Sequence, residues 1–346
     1  MLTDNEKRQF SRQIVLPRFG ESGQQKLHQS KVMIAGIGGL GAFSSLLLAE
    51  MGIGYLRIVD RDLVERTNLH RSPLYVEEDL DLAKVEAASL RLKLINPSMI
   101  LDTHACHINE GNIEELLDGI DLVIDGLDNF ETRRIINAEC VKRKIPFVFC
   151  GVSGRIGNLA VFNAKNESPC LSCLYHEVND KNLENCDITG IHPALLATIT
   201  GLQVHEAVDL LLHGNTALIG TLLFIDLQNM SFNKIPLQKN EFCRICATNE
   251  SEIIPNKFAE YQALELCGDN TVMVVPTRKI DFKFQQALDN ISIEYSILKQ
   301  GKFAFTFQFS KDVFITIFRG GNALIRGQNS KKSALVLWEE LKENKL

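Results

Sequence analysis

Two Cys-x-x-Cys pairs, Cys170 with Cys173 and Cys243 with Cys246, are the residues of this sequence whose spacing most directly indicates chemistry. Cysteine thiolates are preferred ligands of Zn²⁺, and two pairs supply the four sulfur atoms of a tetrahedral site. Such a site leaves no open position for water or substrate, so the pairs predict a structural zinc knuckle and not a catalytic zinc. The alternative is a redox centre, which needs one reactive pair and the other features of a thioredoxin-like fold.

The glycine-rich stretch AGIGGLGA indicates a second kind of chemistry. Gly36, Gly38 and Gly41 match the pattern Gly-x-Gly-x-x-Gly, and Gly39 adds a further small residue. Glycines allow a tight turn close to a phosphate, and the start of the following helix offers unpaired N–H groups. Asp60 ends the next predicted strand, near the spacing of a ribose-binding carboxylate. These residues predict an adenine nucleotide site, for which an NAD-dependent oxidoreductase is the default interpretation.

Alternating strand and helix patterns surround this loop. The predicted strands of the first half lie at residues 31–36, 54–60, 100–105, 121–127 and 146–152. Helical patterns at 40–51 and 129–144 separate some of them. Strands connected by helices predict an α/β fold with a doubly wound, mostly parallel, Rossmann-like sheet.

The pattern changes after about residue 158, and the cysteine pairs belong to this second part. It predicts a polar loop at 176–190, a helix from Pro193 to Leu212 and an antiparallel strand pair across 221–237. From residue 263 the strands AFTFQF and FITIFRG predict a small α+β C-terminal domain. We therefore expect one domain at 1–262, with the zinc knuckle, and another at 263–346.

Several polar residues after the glycine loop fit a triphosphate better than a dinucleotide. Asn68, Arg71 and Lys84 could converge on phosphates, since arginine binds them as a fork and lysine as a point charge. Asp128 follows a strand end and could hold Mg²⁺. The alternatives are that Lys84 is an exposed helix lysine and that Asp128 caps the helix that begins at NFETRR.

Composition narrows the class of protein. The chain has 346 residues, 45% of them apolar, and a net charge of −6, which gives no general attraction for nucleic acid. The basic cluster at 131–144 is either a local patch or a solvated helix face. Nine cysteines make an odd count, which argues against a disulfide framework. The sequence lacks a secretory signal and a run of about 18 uncharged apolar residues, so we expect a cytoplasmic protein without a membrane partner.

The order of SRQIVLPRFG, GIGGLG, DRDLVERTNLHR, AK, GLDN and the two cysteine pairs resembles the ThiF/MoeB family, from about Ser11 to Cys246. This family adenylylates ubiquitin-like sulfur-carrier proteins and is similar in its core to ubiquitin-activating enzymes. The resemblance implies an adenylyltransferase, a kind of nucleotidyltransferase, that uses ATP and Mg²⁺ and carries a structural Zn²⁺.

The resemblance also implies roles for individual residues. Asp60 would bind the ribose and Asp128 the Mg²⁺, while Asn68, Arg71 and Lys84 would lie near the phosphates. The full nucleotide-binding set would be Gly36, Gly38, Gly39, Gly41, Asp60, Asp62, Asn68, Arg71, Lys84, Asp128 and Asn129. Besides Arg71, Lys84 and Asp128, catalysis would use Arg12, supplied by the partner subunit of a homodimer, and Cys186, which some relatives link covalently to the carrier.

The expected partner is a carrier that ends in Gly-Gly, of the ThiS type for thiamine biosynthesis or the MoaD type for molybdenum cofactor biosynthesis. The C-terminal region is not a rhodanese, so the sulfur is expected from a separate sulfurtransferase. No nucleic-acid partner is expected. The alternatives are an NAD-dependent oxidoreductase, an enzyme that adenylylates another carboxylate such as a peptide, and a non-catalytic zinc-containing binding module.

Overall fold

The structure, a computed structural model, describes residues 2–166, 168–175, 190–247, 260–265, 270–328 and 330–345. The α-helices of these residues are α1 (Asp4–Gln9), α2 (Ser11–Ile14), α3 (Gly20–Gln29), α4 (Gly39–Glu50), α5 (Arg66–Leu69), α6 (Lys84–Ile95), α7 (Ile113–Leu116), α8 (Phe130–Arg143), α9 (Leu171–Leu174), α10 (Pro193–His213), α11 (Phe284–Glu294) and α12 (Lys331–Lys345). The strands are β1 (Lys31–Ala35), β2 (Tyr55–Asp60), β3 (Ile100–Ala105), β4 (Leu122–Asp125), β5 (Phe147–Ser153), β6 (Ile156–Phe162), β7 (Thr221–Asp226), β8 (Ser231–Pro236), β9 (Tyr261–Glu265), β10 (Thr271–Pro276), β11 (Ile297–Gln300), β12 (Ala304–Ser310), β13 (Val313–Phe318) and β14 (Ala323–Arg326).

An eight-stranded sheet with the order β3-β2-β1-β4-β5-β6-β7-β8 organises the first part of the chain. The strands from β3 to β5 in this order are parallel, and β6, β7 and β8 are added antiparallel. The central strands β1 and β4 are almost wholly buried, which agrees with their continuous apolar runs. The predicted doubly wound, mostly parallel sheet is confirmed.

Helices cover both faces of this sheet. Val32 and Ile34 of β1 belong to an apolar cluster that includes residues of α4, α6 and α10, whereas Met33 and Ala35 belong to a second cluster with α7 and α8. Alternate residues of a strand point to opposite faces, so each face of the sheet has its own core. Because β3, β2, β1, β4 and β5 are parallel, their C-terminal ends lie at one common edge of the sheet. The loops before α4 and α8 meet there, since a Cβ atom on Gly36 would lie 2.7 Å from the carbonyl oxygen of Gly126.

The helix α10 is the apolar core helix of the first sheet. It begins with Pro193 in its first turn and ends before Gly214, which is left-handed with φ 73°. Within the part of the chain that the structure describes, it is the helix long and apolar enough to cross a membrane, and 61% of its apolar window is buried inside the protein. Because it packs on α4 and β5, its apolar surface is explained by the core.

The C-terminal residues form a second, antiparallel sheet with the order β11-β12-β13-β14-β10-β9. Val272 and Val274 of β10 pack in a cluster with residues of α11 and α12, while Met273 and Val275 belong to the core of the first sheet. The second sheet is therefore buried on both faces, by its own helices and by the first domain. The predicted small α+β domain is confirmed; its first strand begins at Tyr261, and the exact boundary near residue 263 stays a prediction.

Candidate active site

The glycine loop between β1 and α4 is too tightly packed for larger residues at two positions. Gly36 is left-handed with φ 83°, and a Cβ atom on Gly41 would lie 1.9 Å from the carbonyl oxygen of Gly36. Gly38 is the N-cap of α4 and Gly39 its first residue. Since Gly38 has no side chain to cap the helix, the first N–H groups of α4 remain available to an anion.

Two side chains hold the backbone of this loop. The carboxylate of Asp60 accepts hydrogen bonds from the backbone nitrogens of Ile37 and Asp62, each at 2.7 Å. The buried Tyr75 donates its hydroxyl hydrogen bond to the carbonyl of Ile37. Burial raises the pKa of Asp60. The sequence singled out Asp60 through its spacing but not Tyr75, which has no local signal to distinguish it from a core tyrosine.

Lys84 forms the central ion pair of the site. Its Nζ lies 2.9 Å from Oδ2 of Asp62, and its backbone nitrogen donates to the carbonyl of Asp62 at 2.9 Å. The lysine side chain is only 11% exposed. The interpretation of Lys84 as an exposed helix lysine is therefore wrong, because the first residue of α6 turns inward to meet Asp62.

Three carboxylates interact electrostatically with Lys84. Although burial disfavours the ammonium, Asp62, Asp60 and Asp128 together raise the pKa of Lys84. In turn, burial opposes ionisation of Asp62, but the charge and hydrogen bond of Lys84, together with the charge of Arg61, lower the pKa of that carboxyl. A permanently charged lysine beside the glycine loop and three acidic groups can bind phosphate and a divalent cation together.

Asp128 and Asn129 follow the end of β4. Asn129 is the N-cap of α8, and its Oδ1 accepts from the backbone nitrogen of Thr132 at 2.9 Å. Asp128 is exposed and accepts a hydrogen bond from Nδ2 of Asn129 at 3.1 Å. The interpretation of Asp128 as the helix cap is thus wrong, and its carboxylate remains accessible from solvent.

Asn68 and Arg71 come from α5 and the turn after it. Asn68 is buried, and its Oδ1 accepts from the backbone nitrogen of Glu65 at 3.0 Å. The carbonyl oxygen of Arg71 would lie 3.3 Å from a Cβ atom on Gly39, which brings this turn against the glycine loop. The half-buried Arg71 is therefore a neighbour of the first turn of α4.

Arg12 is not brought to the site within one chain. It is exposed on α2, whose Gln13 donates from Nε2 to the carbonyl of Met51 at 2.9 Å. Met51 lies at the C-terminal end of α4, whereas the glycine loop lies at its N-terminal end. A 12-residue helix is about 18 Å long, more than an arginine side chain can span.

Arg133 holds the segment that leads into Asp128, and no sequence pattern distinguished it as a site residue. Its side chain is 6% exposed and its Nε lies 2.8 Å from Oδ2 of the fully buried Asp125. Its Nη2 also donates to the carbonyl of Leu127 at 2.6 Å, and Leu127 directly precedes Asp128. Both interpretations of the basic cluster, a surface patch or a solvated face, are wrong for Arg133.

The four predicted zinc ligands lie together. The Sγ atoms of Cys170, Cys173, Cys243 and Cys246 are all within 4.8 Å of one another, with separations of 3.4 Å for Cys173 to Cys246 and 3.7 Å for Cys170 to Cys243. Zinc–sulfur bonds of about 2.3 Å place tetrahedral sulfur atoms about 3.8 Å apart. The donor set and its spacing fit Zn²⁺. Cys186 lies outside the described residues.

The cysteine cluster is attached to the nucleotide side of the fold through α8. Asn137 of this helix donates from Nδ2 to Oγ of Ser172 at 3.2 Å and accepts from the backbone nitrogen of Leu171 at 2.9 Å. These contacts hold the turn between Cys170 and Cys173. The helix that carries Asn137 begins beside Asp128, so the two candidate sites share one element.

Arg61 and His107 extend the charged network from Asp62 away from Lys84. No sequence pattern indicated either residue. Nη1 of Arg61 lies 3.0 Å from Nδ1 of His107, and Nε of Arg61 lies 3.7 Å from Asp62. Burial, together with the Arg61 guanidinium, lowers the pKa of His107 to about 3. The imidazole is therefore neutral at physiological pH and accepts a hydrogen bond from Arg61.

Mild acid is expected to destabilise the protein through His107. The unfolded histidine has a pKa near 6.5, so its neutral, buried form contributes full stability above that pH and loses it as the pH falls toward 3. The loss should reach about 1.4 kcal/mol per pH unit. His107→Asn, which retains an acceptor for Arg61, should flatten the fall of the melting temperature between about pH 6.5 and pH 5. The exposed His205→Asn is the control; equal slopes in wild type and His107→Asn would contradict the prediction.

Comparison with known proteins gives a consistent set of relatives. A family profile described as the ThiF family matches residues 10–245. Adenylyltransferase and sulfurtransferase MOCS3 of Culex quinquefasciatus is 36% identical over 252 residues, which are 72% of this chain and 57% of that relative. The chain thus spans little more than half of the length of MOCS3.

Other relatives are matched over most of their length. SAMP-activating enzyme E1 of Haloferax volcanii is 34% identical over 238 residues, 68% of this chain and 87% of that protein. The sulfur carrier protein adenylyltransferase of Thermus thermophilus is 32% identical over 271 residues, 77% of this chain and 98% of that protein.

Among solved structures, E. coli MccB is similar in fold. It has a TM-score of 0.62 at 21% identity and covers 70% of this chain and 73% of its own. A complex of MccB with ATP has a TM-score of 0.58 at 18% identity, covering 72% and 83%. Since the family profile covers more than half of the sequence and the relatives exceed 30% identity, the chain belongs to the ThiF family.

Proposed function

We propose that the protein is an adenylyltransferase that activates the C-terminal glycine carboxylate of a ubiquitin-like sulfur-carrier protein. The observation that carries this proposal is the convergence of Lys84, Asp60, Asp62 and Asp128 beside the glycine loop, at the edge where the parallel strands end. The names of the Haloferax and Thermus relatives support the same activity. An NAD-dependent oxidoreductase, the alternative, would be expected to tolerate the loss of Arg71 and Lys84.

In the proposed reaction a carboxylate oxygen attacks the α-phosphorus of ATP, and the bond to the departing pyrophosphate breaks. The product is an acyl-adenylate. A carboxylate needs no general base, so catalysis depends on alignment and on compensating charge at the leaving group. Gly36, Gly38, Gly39 and Gly41 would let the first turn of α4 approach the phosphates.

The charged side chains would divide the remaining tasks. Arg71 and Lys84 would bind phosphate oxygens, and the amide nitrogen of Asn68 would donate to a neighbouring oxygen of the nucleotide. Asp60 would bind the ribose, with Asp62 holding Lys84 in place, and Asn129 would orient Asp128. Asp128 is exposed and electrostatically coupled to Lys84, which fits a Mg²⁺ ligand; when bound, Mg²⁺ would neutralise charge on the phosphates.

We further propose a homodimer in which each copy supplies Arg12 to the other. The exposure of Arg12 and its position at the far end of α4 support a role in trans. The exposed Val15 and Leu16, which follow it, offer apolar surface for such a contact. We expect pyrophosphate exchange activity to be lost when the protein is diluted until it is monomeric.

The four-cysteine cluster is proposed to hold a structural Zn²⁺, because all four positions are sulfur and none remains for substrate. We propose a separate sulfurtransferase as the sulfur donor. The suggestion that Cys186 links covalently to the carrier stays a prediction.

Pyrophosphate exchange into ATP tests the function. The purified protein would be assayed alone, with ThiS, with MoaD and with a peptide, all with Mg²⁺. Exchange with only one carrier would support the proposal and identify the pathway. Exchange with the peptide alone would instead make the protein a peptide adenylyltransferase, and reduction of NAD without exchange would contradict the proposal.

A further inference from the structure

The first turn of α6 is held by the C-terminal domain. Lys84 is the first residue of this helix, and Ala83, the N-cap, provides no side-chain cap. Glu86 stands at the third helical position, from which a glutamate ordinarily turns back to the N-cap. Here its Oε1 accepts from the backbone nitrogen of Lys302 at 2.7 Å and its Oε2 accepts from that of Phe303 at 3.1 Å.

The turn that receives Glu86 is itself fixed within the second domain. The backbone nitrogen of Gly301 donates to the carbonyl of Ala304 at 2.8 Å, and Nε of Arg319 donates to the carbonyl of Lys302 at 2.9 Å. A Cβ atom on Gly301 would lie 2.4 Å from Oε2 of Glu86. The close approach of the carboxylate therefore requires glycine at this position.

One further contact joins the segment before this helix to the second domain, and the helix shares an apolar cluster with that domain. Nη2 of Arg326 lies 3.3 Å from Oδ1 of Asp81, in the loop that leads into α6. Val85 of α6 belongs to the same apolar cluster as Met273 and Phe303 of the C-terminal domain. Lys84 is thus flanked on both sides in sequence by residues that the second domain holds.

We propose that the C-terminal domain is a positioning element for Lys84 in the nucleotide site. By holding Glu86, the turn Gly301–Phe303 sets the place of the first turn of α6 and hence of the lysine ammonium opposite Asp62. The proposal rests on the proposed function and gives the C-terminal domain a part in it. A shift of about 1 Å in a positioning group is enough to slow a reaction strongly.

Gly301→Ala is the decisive variant, because it changes no charge and lies outside the first domain. Its methyl group would displace the Glu86 carboxylate from the two backbone N–H groups. We expect the affinity for Mg-ATP to fall about tenfold, a size typical of coupling through a packed network. The kcat of pyrophosphate exchange should fall as well, while the KM for the carrier stays unchanged. Glu86→Gln should act in the same direction.

Lys279→Ala is the matched control, since it removes another contact between the domains, the exposed ion pair with Glu115, without touching α6. It should leave ATP affinity unchanged. If Gly301→Ala lowers the melting temperature but leaves ATP affinity at the wild-type value, the contact is only structural and the proposal is wrong.

A double-mutant cycle tests whether the effect passes through the lysine. In the Lys84→Met background, Gly301→Ala should cause no further loss of ATP affinity. An equal loss in both backgrounds would overturn the proposal. Because ATP binding is measured without any carrier, a wild-type protein that binds ATP but exchanges no pyrophosphate would count against the proposed function alone.

Discussion

Replacing Lys84 by methionine is expected to lower carrier-dependent pyrophosphate exchange by about 10³-fold, near the upper end of what one transition-state donor contributes. Methionine retains most of the volume of the lysine but removes the ammonium that pairs with Asp62 at 2.9 Å. Without it, one of the positive charges that would compensate the departing pyrophosphate is lost. The three carboxylates around the position would also repel the triphosphate. The measurement is isotope exchange at saturating Mg-ATP and carrier.

Lys93→Met is the matched control, because Lys93 lies on the same helix α6 and is exposed. It should retain wild-type exchange and a wild-type melting temperature. Normal exchange in Lys84→Met would show that this lysine only neutralises Asp62. Loss of exchange together with unfolding in the absence of ATP would not meet the prediction either, so the melting temperature of each variant is part of the experiment.

Removal of the metal is expected to have the largest effect on stability. The purified protein should contain one zinc per chain, and Cys173→Ser should lose it. Structural zinc sites contribute about 10 kcal/mol or more to the folding of small zinc domains. In this larger chain the cluster joins the turn before α9 to residues near 243, so its loss should lower the melting temperature by about 10 °C or more. Metal analysis and thermal unfolding measure both quantities.

Cys106→Ser is the control for this experiment, since Cys106 follows the end of β3 and lies outside the cluster. It should keep its zinc. Iron in place of zinc, or a metal-free protein of unchanged stability, would contradict the assignment. Because Asn137 connects the cluster to α8, zinc loss should also reduce exchange activity, though less than Lys84→Met.

Features with a local physical cause could be predicted from the sequence. The strand, glycine loop and helix around Gly36 follow from backbone requirements within a few residues, and Asp60 was found by its spacing from them. The thiol chemistry of the Cys-x-x-Cys pairs is likewise local. Asp128 and Asn129 are neighbours in the sequence, and either could have capped α8. The structure shows that Asn129 is the cap and that the carboxylate of Asp128 is exposed.

Burial and pairing across long intervals could not be predicted in the same way. Arg133 looked like part of a basic surface, but Asp125 and the sheet enclose it. The sequence around Lys84 fits an exposed helix lysine as well as a phosphate ligand. The position of Asp62 beside it is visible only in the structure. His107 gave no signal at all, since its pKa depends on burial and on Arg61.

Residue types at short, regular spacing were therefore enough to predict the family, the order of elements, the glycine loop and the thiolate ligand set. Which groups act on one another depends instead on the folded chain. Folding brings Cys243 to Cys170, 73 positions away, and Glu86 to Lys302, 216 positions away. Such contacts depend on how sheets and helices pack, and this packing is a property of the whole chain.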